Sequence, residues 1–120
     1  MKDEVPLEIY EEEIQDLLLE IGVPTNLVGF VYLTSAEEFV LHDPTELYKI
    51  TGLYADIAHK HHTSVARVER AIRHAIHVAW LYGNMAFIDE LFKFSINPMK
   101  GAPSNSQFIS RLYFYLNKHR

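Results

Sequence analysis

The chain of 120 residues is long enough to bury one hydrophobic core, and its 48% hydrophobic and 22% charged residues are typical of a folded globular protein, which excludes a disordered chain. The absence of cysteine excludes disulfides and thiolate metal sites, and no apolar run reaches the length of a membrane span. We therefore expect one cytoplasmic domain over residues 1–120, in which residues 1–13 are a candidate acidic extension without a signal-peptide pattern.

The formal net charge of −5 is divided unequally along the chain. Residues 1–48 contain one base and twelve acids, a net charge of −11, whereas residues 49–120 contain ten bases and four acids, a net charge of +6. A basic half can face nucleic-acid phosphates while the acidic half faces away, and such contacts make affinity fall with salt. The alternative is a surface charge dipole that has no partner.

Helical periodicity predicts two segments before residue 43. Apolar residues at helical intervals predict a first helix over residues 8–21, which a Gly-Val-Pro sequence ends. Thr25 or Asn26 can cap the next helix. Ser35 with Glu38 resembles a capping box, so either one continuous helix or two short helices can follow.

The stretch from Leu53 to Trp80 follows an Asp-Pro break and a short predicted helix over residues 45–50. It is typical of a helix, a tight polar turn and a long second helix, for which Thr63 or Ser64 can be the N-cap. This is the order of elements in a helix-turn-helix, in which the first helix braces the second and the second enters the DNA major groove. The apolar arc of the second helix contains Val65, Val68, Ala71, Ile72, Ala75, Ile76 and Ala79, and the opposite arc contains Arg67, Arg70, Arg73, His74 and His77.

Three arginines at steps of three concentrate positive charge on one face of this helix. Such a face suits an anion, and the free N–H groups at the helix N-terminus suit a phosphate. The alternative is an ordinary solvated surface on which Glu69 pairs with Arg73 at i,i+4.

Two further helices are predicted after a turn at residues 82–84. The first has an apolar side of Met85, Ile88, Leu91 and Phe92, and residues 95–103 follow it as an exposed loop. Ser104 or Ser106 caps the last helix, whose inward side is Phe108, Ile109, Leu112, Tyr113 and Leu116. No alternating β-branched run is present, so we predict an all-α fold of about six helices that contains a helix-turn-helix.

The run from Arg67 to Ile76, continued by Val78-Ala79-Trp80, closely resembles the recognition helix of the C-terminal DNA-binding effector domain of the sporulation response regulator, the stage zero sporulation protein A family. The similarity covers roughly residues 14 to 117. Its flanking signatures are Ile21-Gly22-Val23-Pro24, Gly29, Tyr32 and Leu33, Leu53-Tyr54, Asp56-Ile57-Ala58, Gly83-Asn84, and a late segment of Lys100-Gly101, Pro103, Asn105-Ser106 and Phe108-Ile109. The resemblance implies an all-α transcription regulator, activator or repressor, that reads a TGTCGAA-like box with the helix over residues 64–81.

Base reading is expected from the first turns of that helix. Arg67 and Arg70 are the first candidates, because an arginine presents two donors that match O6 and N7 of guanine. Glu69 can accept from a cytosine amino group, and Arg73 and His74 can reach a base or a phosphate one turn further on. Glu69 and His74 have structural roles as their alternatives.

Phosphate contacts are expected from two places. Thr63 and Ser64 offer hydroxyl or backbone N–H groups, although helix capping is a compatible role for them. The late loop offers Lys100, Ser104, Asn105 and Ser106. The resembling family has a Lys-Gly-Lys-Pro-Thr-Asn-Ser pattern here, where this chain reads Lys-Gly-Ala-Pro-Ser-Asn-Ser, so the second lysine is missing.

The resemblance also implies protein partners. In that family the helix after the recognition helix lies close to RNA polymerase sigma factor, which makes Asp89, Phe92 and Ile96 candidate contacts. Pairing of two copies on tandem or inverted boxes is expected, with weak dimerisation at most in solution. The alternative to specific DNA reading is a helical protein-interaction module, whose surface would include the aromatic residues Phe87, Phe92, Phe94, Tyr113 and Tyr115.

Other classes of function have little support. Seven histidines suggest a metal site, but His59, His61 and His62 do not share one helix face and no HExxH motif is present. No glycine-rich phosphate loop, nucleophile elbow or catalytic carboxylate pair is found, so we expect no enzyme activity, cofactor or small-molecule substrate. The receiver domain of the full-length regulators is missing here, which fits either an excised effector domain or a stand-alone relative.

Overall fold

The computed structural model describes residues 7–93 and 101–118. These residues form six α-helices and one 3₁₀ helix, without a strand, so the predicted all-α fold is confirmed. The α-helices are α1 (Leu7–Ile21), α2 (Val28–His42), α3 (Ile50–Lys60), α4 (Val65–Tyr82), α5 (Met85–Phe92) and α6 (Asn105–Lys118). None of the helices described combines the length and the apolar character that a bilayer crossing requires.

The second helix is continuous, which decides between the two alternatives left open by the sequence. Leu27 occupies the N-cap position and makes no side-chain cap hydrogen bond, so the expected caps Thr25 and Asn26 were wrong. Ser35 and Glu38 lie inside α2 and make tertiary contacts instead of a capping box: the Ser35 hydroxyl lies 2.7 Å from Nε2 of His61, and Glu38 pairs with Lys60 at 3.2 Å.

Helix α2 lies at the centre of the fold, where it packs against α1, α3, α4, α6 and the 3₁₀ helix. It approaches α4 closely at Gly29, because a Cβ atom added there would overlap the Ala71 carbonyl oxygen and lie 2.7 Å from the Ala75 Cβ. Glycine on one helix and alanine on the other therefore allow the two backbones to pack in near contact. This contact fixes the middle of α4.

The short helix predicted over residues 45–50 is a 3₁₀ helix at Pro44–Tyr48, and Ile50 already belongs to α3. Asp43 caps it by accepting a hydrogen bond from the Thr45 backbone N–H at 3.1 Å. Proline at the first position fits the start of such a turn because its missing N–H would have no partner there.

The end of α4 is joined to the end of α1 through backbone atoms. The Asn84 N–H donates to the Ile21 carbonyl at 3.0 Å, and a Cβ added to Gly22 would lie 2.6 Å from Cα of Gly83. Gly22 also has φ = +104°, a conformation that side-chain-bearing residues rarely adopt. Two glycines thus allow this junction.

An aromatic cluster joins α4, α5 and α6. The ring of Trp80 lies 5.0 Å from that of Phe92 and 6.1 Å from that of Phe108, and the Phe92 and Phe108 rings are 5.7 Å apart. Such pairs add about 0.5–1.5 kcal/mol each beyond the area they bury. The predicted inward residues of α6, from Phe108 to Leu116, are all buried.

Candidate nucleic-acid interface

Helices α3 and α4 form a helix-turn-helix whose turn covers residues 61–64. The backbone N–H groups of His61 and Thr63 donate to the carbonyls of Ile57 and Ala58, each at 3.0 Å, which closes the end of α3. His62 provides the reversal with φ = +54°. Backbone hydrogen bonds therefore hold the turn, and His62 adopts a left-handed conformation that is usually taken by glycine or asparagine.

The His61 side chain holds the turn against α2. Its ring lies 5.3 Å from that of Tyr32 and its Nε2 is hydrogen-bonded to Ser35. Burial, followed by the charges of Lys60 and His62, lowers the pKa of His61, so the neutral ring is favoured in this position. No sequence pattern indicates that His61 binds the turn to α2, because Tyr32 and Ser35 are far from it in the chain.

Ser64 is the N-cap of α4, one of the two predicted alternatives. Its hydroxyl accepts a hydrogen bond from the Arg67 backbone N–H at 3.2 Å, while its own carbonyl accepts from Val68. Ser64 is exposed and Thr63 is half-buried, so the first turn of α4 faces solvent beside both residues.

The polar arc of α4 is exposed as predicted, and its members differ in their pairing. Arg73 forms an ion pair with Glu69 at i,i+4. Within the described part of the chain, neither Arg67 nor Arg70 forms an ion pair. Two guanidinium groups one turn apart are thus available at the N-terminal end of α4, and His74 is exposed one turn further along.

The start of α6 is placed against this same part of α4. Ser104 and Gln107 form a reciprocal capping box: the Ser104 N–H donates to Gln107 Oε1 at 2.9 Å, and the Gln107 N–H donates to Ser104 Oγ at 3.1 Å. Asn105 is only 8% exposed, and its amide donates to the Tyr54 hydroxyl and to the Glu69 carbonyl. The donors of the Asn105 side chain therefore point into the core, and the expected phosphate contact by Asn105 stays a prediction.

Two carboxyl groups, on the 3₁₀ helix and on α3, interact. Burial, a hydrogen bond to Asp56, and the charges of Asp56 and Asp43 raise the pKa of Glu46 to about 7. Glu46 is in the 3₁₀ helix and Asp56 in α3, so the raised pKa of Glu46 reflects two carboxyl groups on neighbouring elements.

The match to a known family adds the decisive observation. A family model described as "Sporulation initiation factor Spo0A C terminal" matches residues 14–116. The chain belongs to this family.

Membership in the Spo0A C-terminal family makes the chain a DNA-binding transcription-regulator domain of sporulation. The resemblance found in the sequence is confirmed, over nearly the same residues. The Spo0A C-terminal family is a family of DNA-binding regulators and not of enzymes. Within the ranges 7–93 and 101–118, no group of three or more His, Cys, Asp or Glu side chains is placed to hold a metal ion.

The remaining predicted site residues of this Spo0A-type domain have different positions. Ser106 is exposed beside the capping box, and Asp89 is exposed on α5. Phe92 is 2% exposed within the aromatic cluster, and its contact with a sigma factor stays a prediction. Lys100 and Ile96 lie outside the described residues.

Proposed function

We propose that this domain reads a TGTCGAA-like box with α4 in the DNA major groove. The observation that carries the proposal is the pair of exposed guanidinium groups of Arg67 and Arg70, which are one turn apart and make no ion pair in the described chain. Arginine at these positions can donate two hydrogen bonds to one guanine. The similarity in this helix to the sporulation regulators supports the choice of box.

The neighbouring side chains have secondary roles in this proposal. Glu69 accepts from a cytosine amino group or orients Arg73, with which it pairs, and His74 reaches a base or phosphate at the next turn. Thr63, Ser64 and Ser106 hold phosphates that fix the register without reading sequence. Ser64 keeps its cap at the same time, because its hydroxyl accepts from Arg67 and can donate to a phosphate.

Binding to a box duplex and to a scrambled duplex, each over a salt series, tests the proposal. We expect a preference for the box that Arg70→Ala reduces by about 1–3 kcal/mol, the value of one bidentate base contact. Lys118→Ala is the charge-matched control, because it removes one exposed positive charge outside the helix-turn-helix. Equal affinity of the native chain for both duplexes would refute sequence reading and favour the protein-interaction module.

We also propose that RNA polymerase sigma factor contacts the end of α4 and the exposed side of α5. Leu81 and Tyr82 are 72% and 82% exposed there, a concentration of apolar surface that suits a protein partner, and Asp89 is exposed nearby in sequence. Tyr82→Ala with Asp89→Ala should lower activated transcription from a box promoter while box affinity stays unchanged. Full activation by that double variant would reject the contact.

Two copies are proposed to bind neighbouring boxes as a pair. Titration of a duplex with one box and a duplex with two boxes should give one and two bound chains. A single bound chain on the two-box duplex at saturation would exclude pairing.

A further inference from the structure

The Asn105 amide joins three helices at one buried point. Its Nδ2 donates to the Tyr54 hydroxyl on α3 at 3.0 Å and to the Glu69 carbonyl on α4 at 3.1 Å, while Asn105 itself begins α6. A backbone carbonyl only accepts, so the amide nitrogen and not its oxygen must face Glu69. The side chain of Asn105 on α6 therefore connects this helix to both α3 and α4.

The position held on α4 lies between the two arginines proposed to read bases. Glu69 is two residues after Arg67 and directly before Arg70. Its carbonyl already accepts the helical bond from Arg73, and Asn105 occupies its second acceptor position. The Glu69 side chain also pairs with Arg73. Glu69 is therefore held at its backbone carbonyl by Asn105 and at its carboxylate by Arg73.

The same geometry leaves the Asn105 side chain no donor for DNA. A primary amide has two N–H groups, and the Tyr54 hydroxyl and the Glu69 carbonyl use both. The exposed neighbours Ser104 and Ser106 differ from Asn105 in this respect, because Asn105 is buried in the contact between helices. The amide can act on DNA binding only through α4.

We infer that Asn105 is a positioning residue for sequence reading: its side chain fixes the Arg67–Arg70 turn of α4 against α3 and so sets specificity without a hydrogen bond of its own to DNA. This inference rests on the proposed reading of a box by α4. Bidentate hydrogen bonds to a base edge require both donors within a few tenths of an ångström, so a turn that moves loses discrimination before it loses general attraction to phosphates.

The test compares Asn105→Ala, Asn105→Asp and Tyr54→Phe with Asn117→Ala, which removes an exposed amide near the other end of α6, for binding to box and scrambled duplexes over a salt series. The aspartate variant keeps the size of the side chain but, when its carboxyl is ionised, cannot donate. We expect both Asn105 variants to lower the ratio of box to scrambled affinity about tenfold, as for a weakened base contact, with scrambled affinity and salt slope unchanged. Tyr54→Phe should lower the ratio less, and adding it to Asn105→Ala should cause no further loss.

Each other result has a distinct meaning. A phosphate contact by Asn105 would weaken both duplexes equally and reduce the salt slope by about one, which would overturn the inference. If Asn105 only stabilises the fold, its variants would have a lower fraction of active protein with both duplexes and an unchanged ratio of box to scrambled affinity. That result would also overturn the inference. If an Asn105 variant fails to fold, an unchanged ratio in Tyr54→Phe overturns the inference. A native chain without box preference would instead refute the proposed function.

Discussion

Glu37 lies at the middle of α2 with a side chain that is 0% exposed, and neither of its carboxyl oxygens has a hydrogen-bond partner in the described structure. Burial raises its pKa well above the ordinary value of 4.5, because the charged form loses its hydration without gaining a compensating contact. The folded protein therefore holds a proton at Glu37 at pH values where the unfolded chain has released it.

The linkage between this proton and folding gives the sign and the size of the effect. A pKa raised in the folded state means that stability is full below pH 4.5 and falls as the pH rises toward the folded pKa. One proton corresponds to about 1.4 kcal/mol per pH unit once the pH is well above 4.5. Glu37→Gln removes the titrating group at nearly constant side-chain volume. The free energy of unfolding of this variant, minus that of the native chain, should therefore increase by about 1.4 kcal/mol for each unit of pH.

Urea unfolding at pH 5, 6 and 7 measures this difference. Glu37→Leu should be more stable than Glu37→Gln at every pH, because a buried amide without partners costs about 1–3 kcal/mol. Glu20→Gln, which changes an exposed carboxyl on α1, is the matched control. A difference between Glu37→Gln and the native chain that stays constant over this range would refute the argument from burial.

Three further predictions concern other parts of the fold. Because the pKa of Glu46 is raised from 4.5 to about 7 in the folded state, the native free energy of unfolding should fall as the pH rises toward 7. The thermal unfolding temperature of Glu46→Gln should therefore increase relative to that of the native chain between pH 5 and pH 8. A difference between the two temperatures that does not change with pH would contradict the raised pKa. Gly29→Ala should lower the free energy of unfolding by about 1–3 kcal/mol through overpacking. At Gly52 an added Cβ would lie 3.8 Å from its nearest neighbour, so Gly52→Ala should raise the free energy of unfolding by about 0.4–1 kcal/mol. Urea unfolding measures both alanine variants, and a change of the same sign in the two would contradict the tight packing at Gly29. Ser64→Ala should cost about 1 kcal/mol and Ser64→Gly only a few tenths, so equal losses in the same assay would argue against the cap.

The helix-turn-helix could be predicted from the sequence because its signals are local. The 3.6-residue period of α4 separates a buried arc from an exposed one within a single helix, and the cap at Ser64 depends only on residues up to Arg67. The ion pair of Glu69 with Arg73 was likewise expected as an alternative from its i,i+4 spacing. Which of these side chains touch DNA remains a prediction.

The residues that local patterns could not place are those with distant partners. Ser35 bonds to His61, 26 positions away in sequence, so its resemblance to a capping box was misleading. Asn105 bonds to Tyr54 across 51 positions, which no loop pattern indicates. The burial of Glu37 could not be expected from its charge, since an unpaired acid is rarely found in a core.

The packing of α4 on Gly29 also has a mechanical consequence. The contact lies at Ala71 and Ala75, near the middle of a helix of 18 residues, so α4 has one arm toward the turn and another toward its junction with α1. Arg67 is about 9 Å along the axis from the midpoint of this contact, and a tilt of roughly 10° about that point would move Arg67 by about 1.6 Å. That displacement exceeds the tolerance of a hydrogen bond. A tilt of α4 about this contact would therefore displace the arginines at its start by an amount comparable to the shift of its far end, and the bonds of Asn105 to Glu69 and of Asn84 to Ile21 oppose such a tilt.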